Sequence, residues 1–146
     1  MLKFCKNHYW MSCTMIFDPL RKKEVPLTPE ENVRQWFIGV LKDSIGVPEH
    51  LMMSEVELKF GIASKIFRAD ILIYDRQGQP LAIVECKRPE VALGRQTLEQ
   101  ALRYDMVLGV RHFIITNGTA TYFFSRKEDG IVPLASAPNY EELCRP

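Results

Sequence analysis

The sequence is short of the features that would place it in several large classes. No apolar run approaches the roughly 20 residues needed to span a membrane, so no transmembrane segment is expected. The stretch from Tyr9 to Phe17 follows Lys3 and Lys6, but Ser12 and Thr14 interrupt it. No small-residue cleavage site comes after it, which argues against a secretory signal. The cysteines are Cys5, Cys13, Cys86 and Cys144, with no CxxC pair among them. That disfavours a zinc cluster. A disulfide framework is not needed in a chain able to bury a core, and the reading is a reducing, cytoplasmic protein. His8, His50 and His112 show no ligand spacing. No GxxxxGK(S/T) loop is present to cradle ATP phosphates. Charge of one sign is also lacking: the net charge is +1. A nucleic-acid partner would therefore need a local basic surface rather than a global excess.

What is present is an ordinary globular balance, without repeats or low-complexity stretches. The 146 residues suit one domain, residues 1–146, with 1–24 as an N-terminal extension closed by the polar stretch Asp18 to Glu24. A helix should begin at Thr28, a good N-cap, with Pro29 at its first position and Glu31 at the capping-box spacing. Val33, Trp36, Phe37, Val40 and Leu41 make its apolar face. It should stop near Gly46, before Pro48. Strands are expected over 55–60, 69–74 and 81–86, a helix over 96–108, and two strands over 113–116 and 121–124 joined through Asn117-Gly118. The aromatics Trp36, Phe37, Phe113, Phe123 and Phe124 read as core. This order predicts an α/β (α+β) domain with a central mixed sheet flanked by helices.

The chemistry gathers on the hairpin from Ala69 to Lys87. If Gln77-Gly78 is a two-residue loop, Arg76 pairs with Gln79. Counting outward then sets Asp70 opposite Glu85 and Arg68 opposite Lys87. Opposed residues share a face, and so do Glu85 and Lys87, two apart on one strand. Like charges so placed destabilise a sheet; a divalent cation would remove the conflict. Mg²⁺, with Mn²⁺ as an alternative, takes carboxylate oxygens and keeps several waters. Asp70, Glu85 and the Cys86 carbonyl are the candidate ligands. Lys87 would orient the attacking water or offset charge developing on a phosphate. The blander reading is a surface cluster in which Arg68 and Lys87 neutralise the two acids, worth little energy. Against it stand the apolar strands carrying these charges, Ile71 to Ile73 and Ile83 to Val84.

Asp70 followed by Glu85-Cys86-Lys87 resembles the PD-(D/E)xK nuclease signature, with Arg68-Ala69-Asp70 replacing the variable proline part. The chain resembles more closely the N-terminal nuclease domain of type I restriction enzyme R subunits. Leu27 to Gln35, Arg68 to Asp75, Ile83 to Pro89, Gln100 to Tyr104 and Ile115 to Gly118 carry the likeness in order and spacing. The resemblance implies a restriction-endonuclease-like fold, metal ligation by Asp70 and Glu85, and Lys87 as the catalytic lysine. Gln100 and Tyr104 match a QxxxY element; four apart, they share a helix face that would support the site or contact phosphate. A further glutamate from the first helix would be Glu30 or Glu31. Glu30 is preferred, because Glu31 has the cap to serve, and Glu55 is a third candidate.

The implied function is an Mg²⁺-dependent DNA endonuclease. Arg21 to Lys23, Arg88, Arg95, Arg103 and Arg111 are available to hold phosphates without reading sequence, although a solvated surface is the simpler reading of each. Without an ATP loop the chain cannot translocate DNA alone. It would be a stand-alone relative, or would work with restriction or defence subunits that carry motor or specificity functions. Cutting both strands would favour a homodimer. The rival reading is a non-catalytic nucleic-acid-binding or scaffold module of such a complex.

Overall fold

A computed structural model describes residues 14–60 and 65–146. Cys5, Cys13, His8 and the start of the Tyr9–Phe17 stretch lie outside the described residues. The first described element is a hairpin, β1 (Met15–Asp18) and β2 (Lys23–Pro26). Asp18 closes it, its Oδ1 accepting from the Leu20 N–H at 2.8 Å and the Arg21 N–H at 3.3 Å. This is the local backbone bonding that suits aspartate to turns.

Helix α1 (Pro29–Val40) starts where capping predicts, with Thr28 Oγ1 accepting from the Glu31 N–H at 3.1 Å. The reciprocal half of the box is not made. The Thr28 N–H donates to the Pro26 carbonyl at 3.1 Å, which frees the Glu31 carboxylate for other partners. The helix widens into a π turn over Leu41–Ile45 and ends at Gly46, whose φ of 85° suits a residue without Cβ. Its buried apolar residues include Val33, Phe37, Ile38 and Leu41. Trp36, expected among them, is 47% exposed. The helix is rolled so that the row 34–38–41 meets the sheet and the row 36–40 flanks it. Phe37 and Phe113 are buried as expected, while Phe123 and Phe124 are half-buried.

After a 3₁₀ turn at Glu49–Leu51 come β3 (Met52–Phe60), β4 (Lys65–Tyr74), β5 (Pro80–Cys86), α2 (Arg95–Leu108), β6 (His112–Thr116), β7 (Thr121–Lys127), β8 (Gly130–Pro133) and α3 (Tyr140–Cys144). Among the described residues, β3 to β8 form one six-stranded sheet in chain order. Only β5 and β6 run parallel, because α2 crosses over between them. The fold is therefore the mixed, helix-flanked, restriction-endonuclease-like sheet that the sequence predicts. Two apolar clusters cover the sheet. Val33, Phe37, Ile38, Leu41, Ile71, Ile73 and Val84 pack with Tyr140 and Leu143 of α3 on one face. Ala69, Leu72, Ile83, Phe113 and Ile115 pack with Ala101 of α2 on the other. Each fully buried aliphatic or aromatic side chain contributes roughly 1.5–3 kcal/mol. None of the described helices is long and apolar enough to cross a membrane.

The β4–β5 hairpin keeps the counted register through a different turn. Ile71 faces Val84 and Ile73 faces Ala82, but Tyr74 faces Pro80. Asp75 to Gln79 close a five-residue loop in which Asp75 Oδ1 accepts from the N–H groups of Gln77 and Gln79, both at 2.9 Å. Leu81 is the extra residue that restores the pairing expected from a two-residue turn. Arg68 does not face Lys87. It faces Glu57 of β3 and forms an exposed ion pair with it at 2.9 Å, because the β4–β5 ladder stops at Ile71 and Val84.

Candidate active site

The alternation of β4 breaks at Asp70. Ala69 packs on the α2 face and Ile71, two residues on, on the α1 face. The β3–β4 ladder pairs Ser54 with Ile71 and Val56 with Ala69, and forms no pair between Glu55 and Asp70. Glu55 has a φ of 54°, an uncommon backbone for a residue with a Cβ. Strain of this kind clusters at functional sites. The break turns the Asp70 carboxylate towards α1. Its Oδ2 accepts the Cys86 N–H at 2.8 Å and its Oδ1 accepts Arg34 Nη2 at 2.7 Å.

Glu85 and Lys87 come from the end of β5 and turn to the α2 side. Gln100 lies between them. Its Nε2 donates to Glu85 Oε2 at 3.5 Å, and its Oε1 accepts from Lys87 Nζ at 3.3 Å. The Lys87 N–H donates to the Thr116 carbonyl at 2.8 Å and so continues the β5–β6 pairing past Cys86. The Asp70, Glu85 and Lys87 side chains thus straddle the end of β5 instead of lining one face of it. Tyr104 lies four residues beyond Gln100 in α2, and its side chain is outside the described residues.

Glu30 is half-buried in the first turn of α1. Burial, then the nearby charge of Asp70, raises its carboxyl above the usual range, while Lys87 and Arg34 pull it down. It therefore senses both Asp70 and Lys87. Glu31 is committed elsewhere: it accepts from Arg21, from Arg34 Nη1 at 2.6 Å and from Gln35 Nε2 at 3.1 Å. Glu55 meets Arg34 Nη2 at 2.5 Å. Burial also pushes the Asp70 carboxyl up; Arg34 and the Cys86 N–H oppose that, and Glu55 adds to it. The Cys86 thiol is buried and pushed well up by burial and by Asp70, so it is an inert core group.

Arg34 is the residue that sequence reading passes over. It is 4% exposed and bridges carboxylates from α1, β3 and β4. Its signal was a lone cation one turn before Phe37 and Ile38, on the row that faces the sheet. The ion pairs continue through Glu31 and Arg21 to Asp18 in the first hairpin. Asp18 is fully buried, and burial pushes its carboxyl up, but the Arg21 guanidinium and the Leu20 and Arg21 N–H groups outweigh this and hold it below the usual range. Beside α1 opens a cleft of about 720 Å³ whose walls include Lys23, Glu30, Arg34, Glu55 and Arg88.

The donor chemistry suits a hard divalent cation, since carboxylate and carbonyl oxygens are what Mg²⁺ takes. The Arg34 guanidinium offsets the charge of Asp70. Among the described residues, no three acidic, His or Cys side chains are gathered closely enough to hold an ion.

The family described as Type I restriction enzyme R protein N terminus matches residues 29–138. In three dimensions the chain is similar to a structure described as a fragment of an HsdR subunit of a type I restriction enzyme from Vibrio vulnificus YJ016, with a TM-score of 0.62 and 24% sequence identity. That match covers 80% of this chain and 24% of the other, so the chain spans about a quarter of that structure's length. No curated protein matches it.

Proposed function

Because the chain belongs to the type I restriction enzyme R protein N-terminal family, we propose that it is a metal-dependent DNA endonuclease module that hydrolyses phosphodiester bonds at the end of β5. The observation that carries this reading is the bridge made by Gln100 between Glu85 and Lys87, next to an Asp70 oriented by the Cys86 N–H. Charged groups ending buried strands, tied together by a helix side chain, are what an active site requires and a solvated surface does not.

Asp70, Glu85 and the Cys86 carbonyl would hold Mg²⁺ or Mn²⁺, with Glu30 as a further ligand. When bound, the cation supplies Lewis-acid stabilisation of charge on the phosphate. The protein's own groups do the rest. The Cys86 N–H fixes one carboxylate oxygen of Asp70, and the other is directed at Arg34. Gln100 holds Lys87 Nζ, so that the ammonium orients water at the scissile phosphorus or meets a non-bridging phosphate oxygen. Lys23 and Arg88, on the walls of the adjoining cleft, would receive neighbouring phosphates and give salt-dependent, sequence-neutral affinity. The module would serve in the cytoplasm with subunits that supply motor and specificity functions, and as a dimer where both strands are cut.

The test is cleavage of single-stranded, duplex and branched DNA with Mg²⁺ or Mn²⁺, comparing the wild type with Asp70→Ala and Lys87→Ala. Metal-dependent cleavage lost in both variants supports the reading. Equal cleavage by all three proteins would place the activity elsewhere. Metal and DNA binding without cleavage in any setting, partner subunits included, would favour a non-catalytic scaffold.

A further inference from the structure

We propose that Arg34 is an internal counter-ion that a divalent cation must displace from Asp70, so that this arginine sets how tightly the site takes metal. The inference rests on the reading of Asp70 as a metal ligand and adds a residue which that reading does not use.

Arg34 is 4% exposed. Its Nη1 meets Glu31 at 2.6 Å, and its Nη2 meets both Glu55 at 2.5 Å and Asp70 at 2.7 Å. One nitrogen therefore sits between two carboxylates, from β3 and β4. The two oxygens of Asp70 are not equivalent. Oδ2 is held by the backbone N–H of Cys86, which side-chain motion cannot remove. Among the described residues, the hydrogen-bond partner of Oδ1 is the Arg34 side chain, so it is the oxygen available for exchange. A guanidinium and a divalent cation on that oxygen repel each other strongly in a buried setting.

Arg34 also has somewhere to stay. Glu31 grips its other nitrogen on the same helix, and Arg21 already shares Glu31. Releasing Asp70 leaves the guanidinium paired rather than stranded. The exchange then swaps one buried counter-charge for another, which avoids the large cost of an uncompensated buried carboxylate.

The experiment measures Mn²⁺ binding to the full chain by calorimetry and by the Mn²⁺ electron paramagnetic resonance signal. The proteins are the wild type, Arg34→Gln and Arg34→Lys, each also combined with Asp70→Asn. Arg34→Gln should bind Mn²⁺ at least about tenfold more tightly, because a like charge next to the ion is gone. Arg34→Lys keeps the charge but not the fork that spans three carboxylates, and should fall between. Asp70→Asn should abolish the gain in both backgrounds. If Arg34→Gln does not fold by circular dichroism, Arg34→Lys carries the comparison. Folded Arg34 variants that bind no more tightly than the wild type, while Asp70→Asn still weakens binding, would overturn the counter-ion role and leave the metal reading standing. Binding that ignores Asp70→Asn in every background would overturn both.

Discussion

The Arg34 guanidinium of α1 and the Asp70 carboxylate of β4 meet at 2.7 Å, and both are buried. Their energetic roles differ. Arg34 answers three carboxylates at once, whereas Asp70 is one of three anions around it. Burial favours the protonated form of Asp70 and Arg34 is held firmly charged.

Removing either partner should therefore have unequal consequences for stability. Arg34→Met strands buried carboxylates and should lower stability by about 3–5 kcal/mol. Asp70→Asn removes one of the three anions and leaves the guanidinium paired with Glu31 and Glu55, so it should cost less than Arg34→Met. Urea denaturation of both variants without divalent metal checks the ranking.

Loss of Lys87 should be felt in chemistry and not in folding. The side chain is half-buried and donates to Gln100 Oε1 at 3.3 Å. Lys87→Ala should reduce the cleavage rate by roughly 10²-fold or more, as expected for a positioned proton-handling or charge-stabilising group, with unchanged circular dichroism. Gln100→Ala should cost less, because Lys87 stays present but unheld. Single-turnover cleavage rates would show that order, and a larger loss in Gln100→Ala would refute it.

His112 predicts a loss of stability on mild acidification. Its Nε2 faces the Leu143 carbonyl at 2.8 Å, so that nitrogen carries the proton, and its Nδ1 accepts from the Ser125 hydroxyl at 2.7 Å. Burial lowers its pKa below 6.5; the Leu143 bond opposes this, and Arg111 and Lys127 add to the lowering. The unfolded chain therefore binds more protons below that value. Stability is fully present above pH 6.5 and falls as pH drops from there through the folded pKa. His112→Gln should flatten that part of the stability–pH curve. A wild-type curve already flat between pH 5 and 7 would contradict the assignment.

The roll of α1 makes a prediction about packing. Leu41 is fully buried and Trp36 is 47% exposed. Leu41→Ala should cost about 2–5 kcal/mol. Trp36→Ala should cost less than about 1 kcal/mol, despite removing the larger side chain. Thermal unfolding of the two variants reads the difference directly.

The long elements were legible in the sequence because their periodicity is strong: α1 with its cap, the apolar cores of β4 and β5, and α2. The short ones were not. The strands β1, β2 and β8 have four residues each, too few for alternation to register. Helix α3 left a trace in Asn139 and Glu142, which form a full capping box. In the site, counting from the turn reached the correct β4–β5 register for a reason that does not hold in detail, since Leu81 compensates for a longer loop. Period-two alternation cannot foresee a strand that changes faces, so the turn of Asp70 towards α1 was hidden. Arg34 was hidden because its partners come from β3 and β4, far away in sequence.

That change of face puts the two neighbours of Asp70 in β4 on opposite sides of the sheet. Ala69, just before Asp70, sits in the half-core under α2, and Ile71, just after it, in the half-core under α1. Asp70 occupies the seam. The carboxylate at the seam is thus set by neighbours that belong to different layers, so its position depends on the packing of both helices and not of one alone.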